Sequence, residues 1–274
     1  MTDSIFNIEN KIVVVTGGMG QLGQEFTKTL LKNRARVVIL DTVVSETSLS
    51  SLLKDYENNN KLMLIKADVT SKGSLEQALQ QIQEKWGQPP FGLINNAALD
   101  SPPNAPAEET GPFEDFPSAS WDRVMDVNVK GAFQACQVFG KAMADMGAGS
   151  IINIGSTYGM VSPDQRIYEY RKENSGEPFY KPVVYSASKS ALVNLTKYIA
   201  VYWAKSGVRT NLMGLGGVFN NQDEEFMTGY CDKVPMGRMA NADEYNGTVV
   251  YLMSDASSYV TGATIMLDGG WTAW

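Results

Sequence analysis

The sequence predicts an α/β chain built on one doubly wound parallel sheet of about seven strands. Three observations predict it. Short β-branched runs alternate with apolar-periodic helical stretches along the chain, the order that parallel strands joined by crossover helices require. The first such run passes directly into a glycine-rich turn and then a helix. The 274 residues are 43% apolar, enough to bury one large core.

The first strand is Lys11 to Val15, and Thr16-Gly17-Gly18-Met19-Gly20-Gln21-Leu22-Gly23 follows at once. A helix is expected from Gln24 to Leu31, with Leu22, Phe26 and Leu30 on one face. Strand, glycine turn and helix are the context of a phosphate-binding fingerprint. The glycines let the backbone bend and approach a pyrophosphate, and the helix start offers free N–H groups. Gly17, Met19, Gly20, Gln21 and Leu22 are therefore expected at a dinucleotide. A second strand, Arg36 to Leu40, ends in Asp41. A carboxylate there accepts both ribose hydroxyls and repels a 2′-phosphate, which favours NAD over NADP. The third strand, Leu62 to Ile65, leads to Asp68 and Val69. Asp68 either accepts from the adenine amino group or caps the helix starting near Ser71. The fourth strand, Phe91 to Ile94, runs into Asn95-Asn96-Ala97-Ala98, where small residues let the chain pass under the cofactor.

Residues 99 to 117 hold five prolines and are expected as an irregular rim of the substrate site. A long helix is expected over 120–146, with Asn128 at its middle. A buried Asn there would hold a water or kink the helix. The fifth strand, Ser150 to Ser156, delivers the Ser156 hydroxyl to the same sheet edge as the glycine turn. The helix expected over 185–205 places Tyr185 and Lys189 four residues apart, hence on one face. A nearby ammonium favours a phenolate, so Tyr185 is a candidate general acid/base. Gly216-Gly217-Val218 follows a sixth strand at 208–213 and could meet the cofactor carboxamide. Residues 221–233 are expected as a mobile lid, 242–254 as the last helix and 263–267 as an edge strand.

Composition narrows the chemistry. There is no histidine, so no Ser-His-Asp triad exists and acid/base work falls to Tyr, Lys, Asp or Glu. Net charge is −7 with no basic cluster, which argues against nucleic acid. Two cysteines support neither a disulfide framework nor a metal site. The start of the chain lacks a signal-peptide pattern and no apolar run reaches spanning length. A cytoplasmic protein with no membrane partner is expected.

Together the glycine turn, Asp41, Asp68, Asn95-Asn96-Ala97, Asn128, Ser156, Tyr185-x-x-x-Lys189, Arg209-x-Asn211, Tyr259-Val260-Thr261-Gly262 and Asp268-Gly269-Gly270 resemble the short-chain dehydrogenase/reductase family from Lys11 to Gly270. The resemblance implies a single Rossmann-like domain over 1–274, with a dinucleotide-binding half at 1–98 and a catalytic and substrate half at 99–274. It implies that Tyr185 exchanges a proton with the substrate oxygen and that Lys189 lowers its pKa and holds the nicotinamide ribose. Ser156 would orient the substrate, and Asn128 would anchor a water. A homodimer or homotetramer is implied, with Trp271 and Trp274 near the contact.

The chain departs from the family's pattern in four places. Gln21 stands where the shorter branch has Gly, Ala98 replaces Gly, and Leu215 replaces Pro. An insertion at 164–179 separates Ser156 from Tyr185. Its aromatic and basic residues suit a polar, anionic ligand and look like the oxidoreductases of bacterial surface-sugar modification. Tyr158, Arg166, Arg171 and Asn220 are the expected substrate contacts. The reading is a hydride-transferring, NAD-dependent oxidoreductase of a small, sugar-like substrate. The alternatives are a nucleotide-sugar epimerase or dehydratase that retains NAD, and a dinucleotide sensor without turnover.

Overall fold

The computed structural model describes residues 4–44, 60–100, 107–176 and 179–274. Seven strands form one sheet: β1 Ile12–Thr16, β2 Arg36–Asp41, β3 Leu62–Lys66, β4 Gly92–Asn95, β5 Gly149–Ser156, β6 Val208–Leu215 and β7 Thr264–Leu267. Their order is β3-β2-β1-β4-β5-β6-β7, and every pairing is parallel. The winding reverses between β1 and β4. Ligands of open parallel sheets bind in the crevice at such a reversal, beyond the strands' carboxyl ends.

Alternation along the strands divides the core in two. Val13, Val15, Val37 and Ile39 face one side, against Phe26 and Leu30 of α1 (Gln21–Lys32). Ile12, Val14, Val38 and Leu40 face the other, against Leu75, Ala78 and Ile82 of α2 (Lys72–Trp86). Burial on both faces explains why these strands read as continuous apolar runs. The Ser71 hydroxyl caps α2 by accepting from the Ser74 N–H, and left-handed Gly87 ends it.

The helix expected over 120–146 is α3, residues 118–146, but it is not regular. It carries two wide π turns, at Asp126–Gly131 and Cys136–Gly140. Each lies where the helix runs against a neighbour with no room for a side chain. A Cβ on Gly131 would lie 2.6 Å from Val69, and one on Gly140 would collide with Trp203. Asn128 sits inside the first π turn, a feature common at functional sites.

The insertion forms a 3-10 turn, Gln165–Tyr168, then α4 (Glu169–Ser175); its residues 177 and 178 lie outside the described residues, as do 101–106 of the proline-rich stretch. The catalytic-helix candidate is α5 (Val183–Trp203), entered through Pro182. Two expectations change. Residues 221–233 are not a free lid, because 224–231 form α6 (Glu224–Cys231), packed through Tyr230 and Phe226. The last helix, α7, is shorter than expected, Asn246–Met253, because Tyr245 turns inward and donates to the Gly216 carbonyl at 3.1 Å.

A third apolar cluster lies off the sheet. Tyr158, Ile167, Tyr168, Tyr230, Val234, Met239 and Trp271 pack together, with Phe179, Tyr185 and Phe226 against them. Trp271 is thus buried within its own chain, 4.7 Å from the Tyr230 ring and 6.1 Å from Tyr158, rather than kept for a second subunit. Trp274 remains exposed.

Candidate active site

A cavity of about 580 Å³ opens at the β1/β4 reversal. Gly17, Gly20, Gln21, Leu22, Asp41, Asp68, Val69, Asn96, Ala97 and Ala98 line it, ten of the residues expected at a dinucleotide. The local chemistry explains its shape. Gly17 has φ +60°, and a Cβ there would fall 2.7 Å from the Ala97 Cα; only glycine lets the turn pass so close. A Cβ on Gly23 would strike the Gly17 carbonyl, so this glycine lets α1 seat against the turn. Asn96 donates to the Thr16 and Gly17 carbonyls, at 3.1 and 2.9 Å. The Thr16 hydroxyl accepts from the N–H groups of Asn96 and Ala97, both at 3.1 Å. Thr16 was missed by sequence reading, because a strand-end hydroxyl carries no pattern of its own.

The carboxylates at the cavity rim are partly engaged. Asp41 accepts from the N–H groups of Met19 (3.1 Å) and Val43 (3.2 Å). Met19 itself does not line the cavity; its backbone holds Asp41 in place. Asp68 accepts from the Thr70 N–H and hydroxyl, while Ser71 is the cap of α2, so the capping alternative for Asp68 fails. Gln21, the residue in place of a glycine, donates to the Phe219 carbonyl at 3.3 Å. It bridges the glycine turn to the loop after β6. Gly216 lines a second cavity, of about 320 Å³, beside Asp268 and the Arg238–Glu244 ion pair. Val218 instead forms a short parallel bridge with Ala240.

Asn128, Ser156, Tyr185 and Lys189 come together between α3, β5 and α5. The Asn128 side chain accepts from the Leu99 N–H (2.7 Å) and donates to the Leu99 carbonyl and to Ser188 Oγ (both 3.0 Å). Its hydrogen bonds thus fix the segment after β4 against α5. Lys189, 4% exposed, donates to the Ile154 carbonyl at 2.9 Å. Ser156 ends β5, and its hydroxyl accepts from the Tyr158 N–H at 3.2 Å.

Burial disfavours both charged forms of the pair. It raises the Tyr185 phenol above its usual range, with the Asp100 carboxylate adding to the rise and the Ser156 hydrogen bond opposing it. It pushes the Lys189 ammonium down to about 8, with Asp100 opposing. Burial is the largest influence on both groups.

The four residues expected at the substrate lie in different settings. Arg166 points to solvent and is held by Asp164, at 2.9 and 2.7 Å. Arg171 donates to Asp223 at 3.3 Å and stacks 4.7 Å over Phe179. Both clamp the insertion: Asp223 also caps α6 and accepts from the Tyr170 hydroxyl, and Lys233 reaches Asp164. Asn220 is exposed, its N–H held by Gln222 at 2.7 Å. Tyr158 alone of the four faces Tyr185. Its hydroxyl is buried and lies beside that of Tyr168.

Two charged residues beside Tyr185 escaped sequence reading. Lys181 lies with Nζ 4.7 Å from the Tyr185 ring centroid and pairs with Asp100. Lys181 stands four residues before Tyr185, the mirror of the Lys189 spacing, and that was its only signal. Asp100 carried none.

A family model described as enoyl-(acyl carrier protein) reductase matches residues 19–272. The chain is 30% identical to a galactitol 2-dehydrogenase (L-tagatose-forming) of Cereibacter sphaeroides, over 99% of this chain and 98% of that one. It is 29% identical to post-translational flagellin modification protein A of Campylobacter coli, over 96% and 99%. Among solved structures, a short chain dehydrogenase from Leptospira borgpetersenii with bound NAD+ superposes with a TM-score of 0.84 at 33% identity, covering 99% of this chain and 96% of that one.

Proposed function

The chain belongs to the short-chain dehydrogenase/reductase family, and from that membership we propose that it is an NAD-linked dehydrogenase of polar, sugar-like alcohols. The residues fit the cofactor on geometric grounds: Gly17 and Asn96–Ala98 line one cavity, and Gly17 packs too close to the Ala97 backbone to carry a Cβ. Gly17, Gly20 and the α1 start would hold the pyrophosphate, Asp41 the adenosine ribose, and Lys189 the nicotinamide ribose. NAD, when bound, takes up or supplies the hydride.

The chain's own residues handle the proton and the orientation. Tyr185 removes the hydroxyl proton during oxidation and returns it during reduction. Ser156 hydrogen-bonds the reacting oxygen and, with Tyr185, fixes the carbon toward the cofactor. Lys189 stabilises the phenolate by its charge. The observation that supports this reading most is that Tyr185, Ser156 and Lys189 come together beside Asp100, a residue that also lines the glycine-turn cavity.

The substrate class rests on the roof. Aromatic rings of Tyr158, Tyr168, Tyr230 and Trp271 pack together against Tyr185, with the Tyr158 and Tyr168 hydroxyls paired among them. Apolar ring faces with hydroxyls among them suit the C–H faces and hydroxyls of a polyol or sugar. The galactitol 2-dehydrogenase relative supports the same class. We also infer a cytoplasmic homo-oligomer, joined through the exposed Tyr198, Val201 and Tyr202 of α5.

The test is net NADH formation with a panel of pentitols and hexitols, galactitol among them. The account expects stoichiometric NADH with at least one member and at least tenfold lower rates with NADP. Redox-neutral conversion without net NADH would instead favour the NAD-retaining epimerase or dehydratase.

A further inference from the structure

We propose that Lys181 is a positioning residue for Tyr185, and that the insertion between Ser156 and Tyr185 serves to hold it there. The Lys181 ammonium stands nearer the Tyr185 ring centroid than that of Lys189, 4.7 against 5.8 Å. Its side chain is 10% exposed and ion-paired to Asp100, which is 55% exposed. The backbone around it is held from the insertion: Gln165 Nε2 donates to the Lys181 carbonyl at 3.2 Å, and Gln165 Oε1 accepts from the Lys181 N–H at 2.9 Å. Gln165 opens the insertion's 3-10 turn. That turn is in turn anchored by Asp164 to Lys233, and α4 by Arg171 to Asp223.

The consequence is electrostatic. The charged and titratable groups facing Tyr185 are Lys189 from its own helix, Lys181 from the entry to that helix, Asp100 from the end of β4, Tyr158 from the turn after β5 and Tyr230 from α6. Lys181 is the second cation of this set, and Asp100 its only anion at neutral pH. A cation beside a phenol favours phenolate, and an anion opposes it, by about one pH unit each at this range. Asp100 raises Tyr185; Lys181, paired to Asp100, offsets that rise. The pair sets the pH at which Tyr185 accepts a proton, and the insertion sets the pair's geometry.

This inference rests on the dehydrogenase reading, and the experiment separates the two. In the full chain, Lys181→Met is expected to move the midpoint of the pH–kcat profile for polyol oxidation alkaline by about one unit, roughly tenfold in rate below the midpoint. Lys181→Arg restores it. Asp100→Asn moves it the opposite way. NAD affinity of Lys181→Met by fluorescence titration stays within about twofold of the parent, since Lys181 is not on the lining of the glycine-turn cavity, which Asp100 is. Ultraviolet titration of tyrosinate, parent minus Tyr185→Phe, reads the same shifts without turnover. Unshifted midpoints, or shifts of one sign in Lys181→Met and Asp100→Asn, overturn the inference. A parent that makes no NADH overturns the dehydrogenase reading and leaves the tyrosinate titration to decide on Lys181. Should Lys181→Met fail to fold, the half-exposed Asp100→Asn carries the test alone.

Discussion

At the scale of single residues, the site concentrates groups whose preferred charge the interior opposes. Lys189 is the clearest case. Its ammonium is held down to about 8, against 10.5 unburied. The unfolded chain therefore binds more protons between those values, and the stability attributable to Lys189 rises as pH rises from about 8 toward 10.5. Below about 8 both states are charged and the burial cost is present in full. Lys189→Met is accordingly expected to raise the neutral-pH melting temperature while abolishing turnover, and the difference from the parent should shrink between pH 8 and 10. Thermal unfolding across that range checks the sign. Gly17 works by shape instead. Gly17→Ala forces a Cβ onto the Ala97 backbone at φ +60°, and is expected to cost roughly 1–3 kcal/mol and most of the NAD affinity, readable by calorimetry. Both positions were legible in the sequence, because the glycine turn and the four-residue spacing are local patterns. Lys181 and Asp100 were not, since their meeting depends on how the end of β4 packs against the entry to α5.

At the scale of elements, the insertion and α6 behave as one roof rather than as a substrate-grasping loop and a separate lid. Asp223 joins them: it caps α6 at the Phe226 N–H and accepts from Tyr170 and Arg171 of α4. Tyr168 stacks on Phe226 at 5.7 Å, and Phe226 on Tyr230 at 5.5 Å. Asp223→Ala is expected to cost about 1 kcal/mol through the lost cap. It should also raise the polyol KM severalfold, leave NAD affinity unchanged and speed proteolysis near 219–224. A KM equal to the parent's would deny the roof a part in binding. The strands, α1, α2 and α5 were readable from periodicity, to within a few residues. The roof was not, because Tyr158, Tyr168, Tyr230 and Trp271 come from four separate segments with no shared period. The π turns of α3 were equally hidden: they answer to Val69 and Trp203 on other elements.

At the scale of the whole molecule, the sheet order places all but Met19 of the cofactor residues expected from β1 to β4 around one crevice, and Asp100 of its lining pairs with Lys181 at the entry to α5. Among the described residues outside that crevice, α5 carries a cluster of exposed apolar side chains, where Val201 is 81% exposed between Tyr198 and Tyr202. Such a patch is costly to leave in water. Sedimentation is expected to give a multiple of the 30.0 kDa chain mass, and Val201→Asp to shift it toward the monomer; a parent sedimenting as a monomer would refute the interface. The central claim is that Tyr185 moves the proton while NAD stays bound independently of it. Its most direct test is the rate of NADH formation by the parent and by Tyr185→Phe, each saturated with NAD and the polyol the parent oxidises. The account predicts a fall of about 10²-fold or more with NAD affinity intact; a variant that reduces NAD at the parental rate would contradict it.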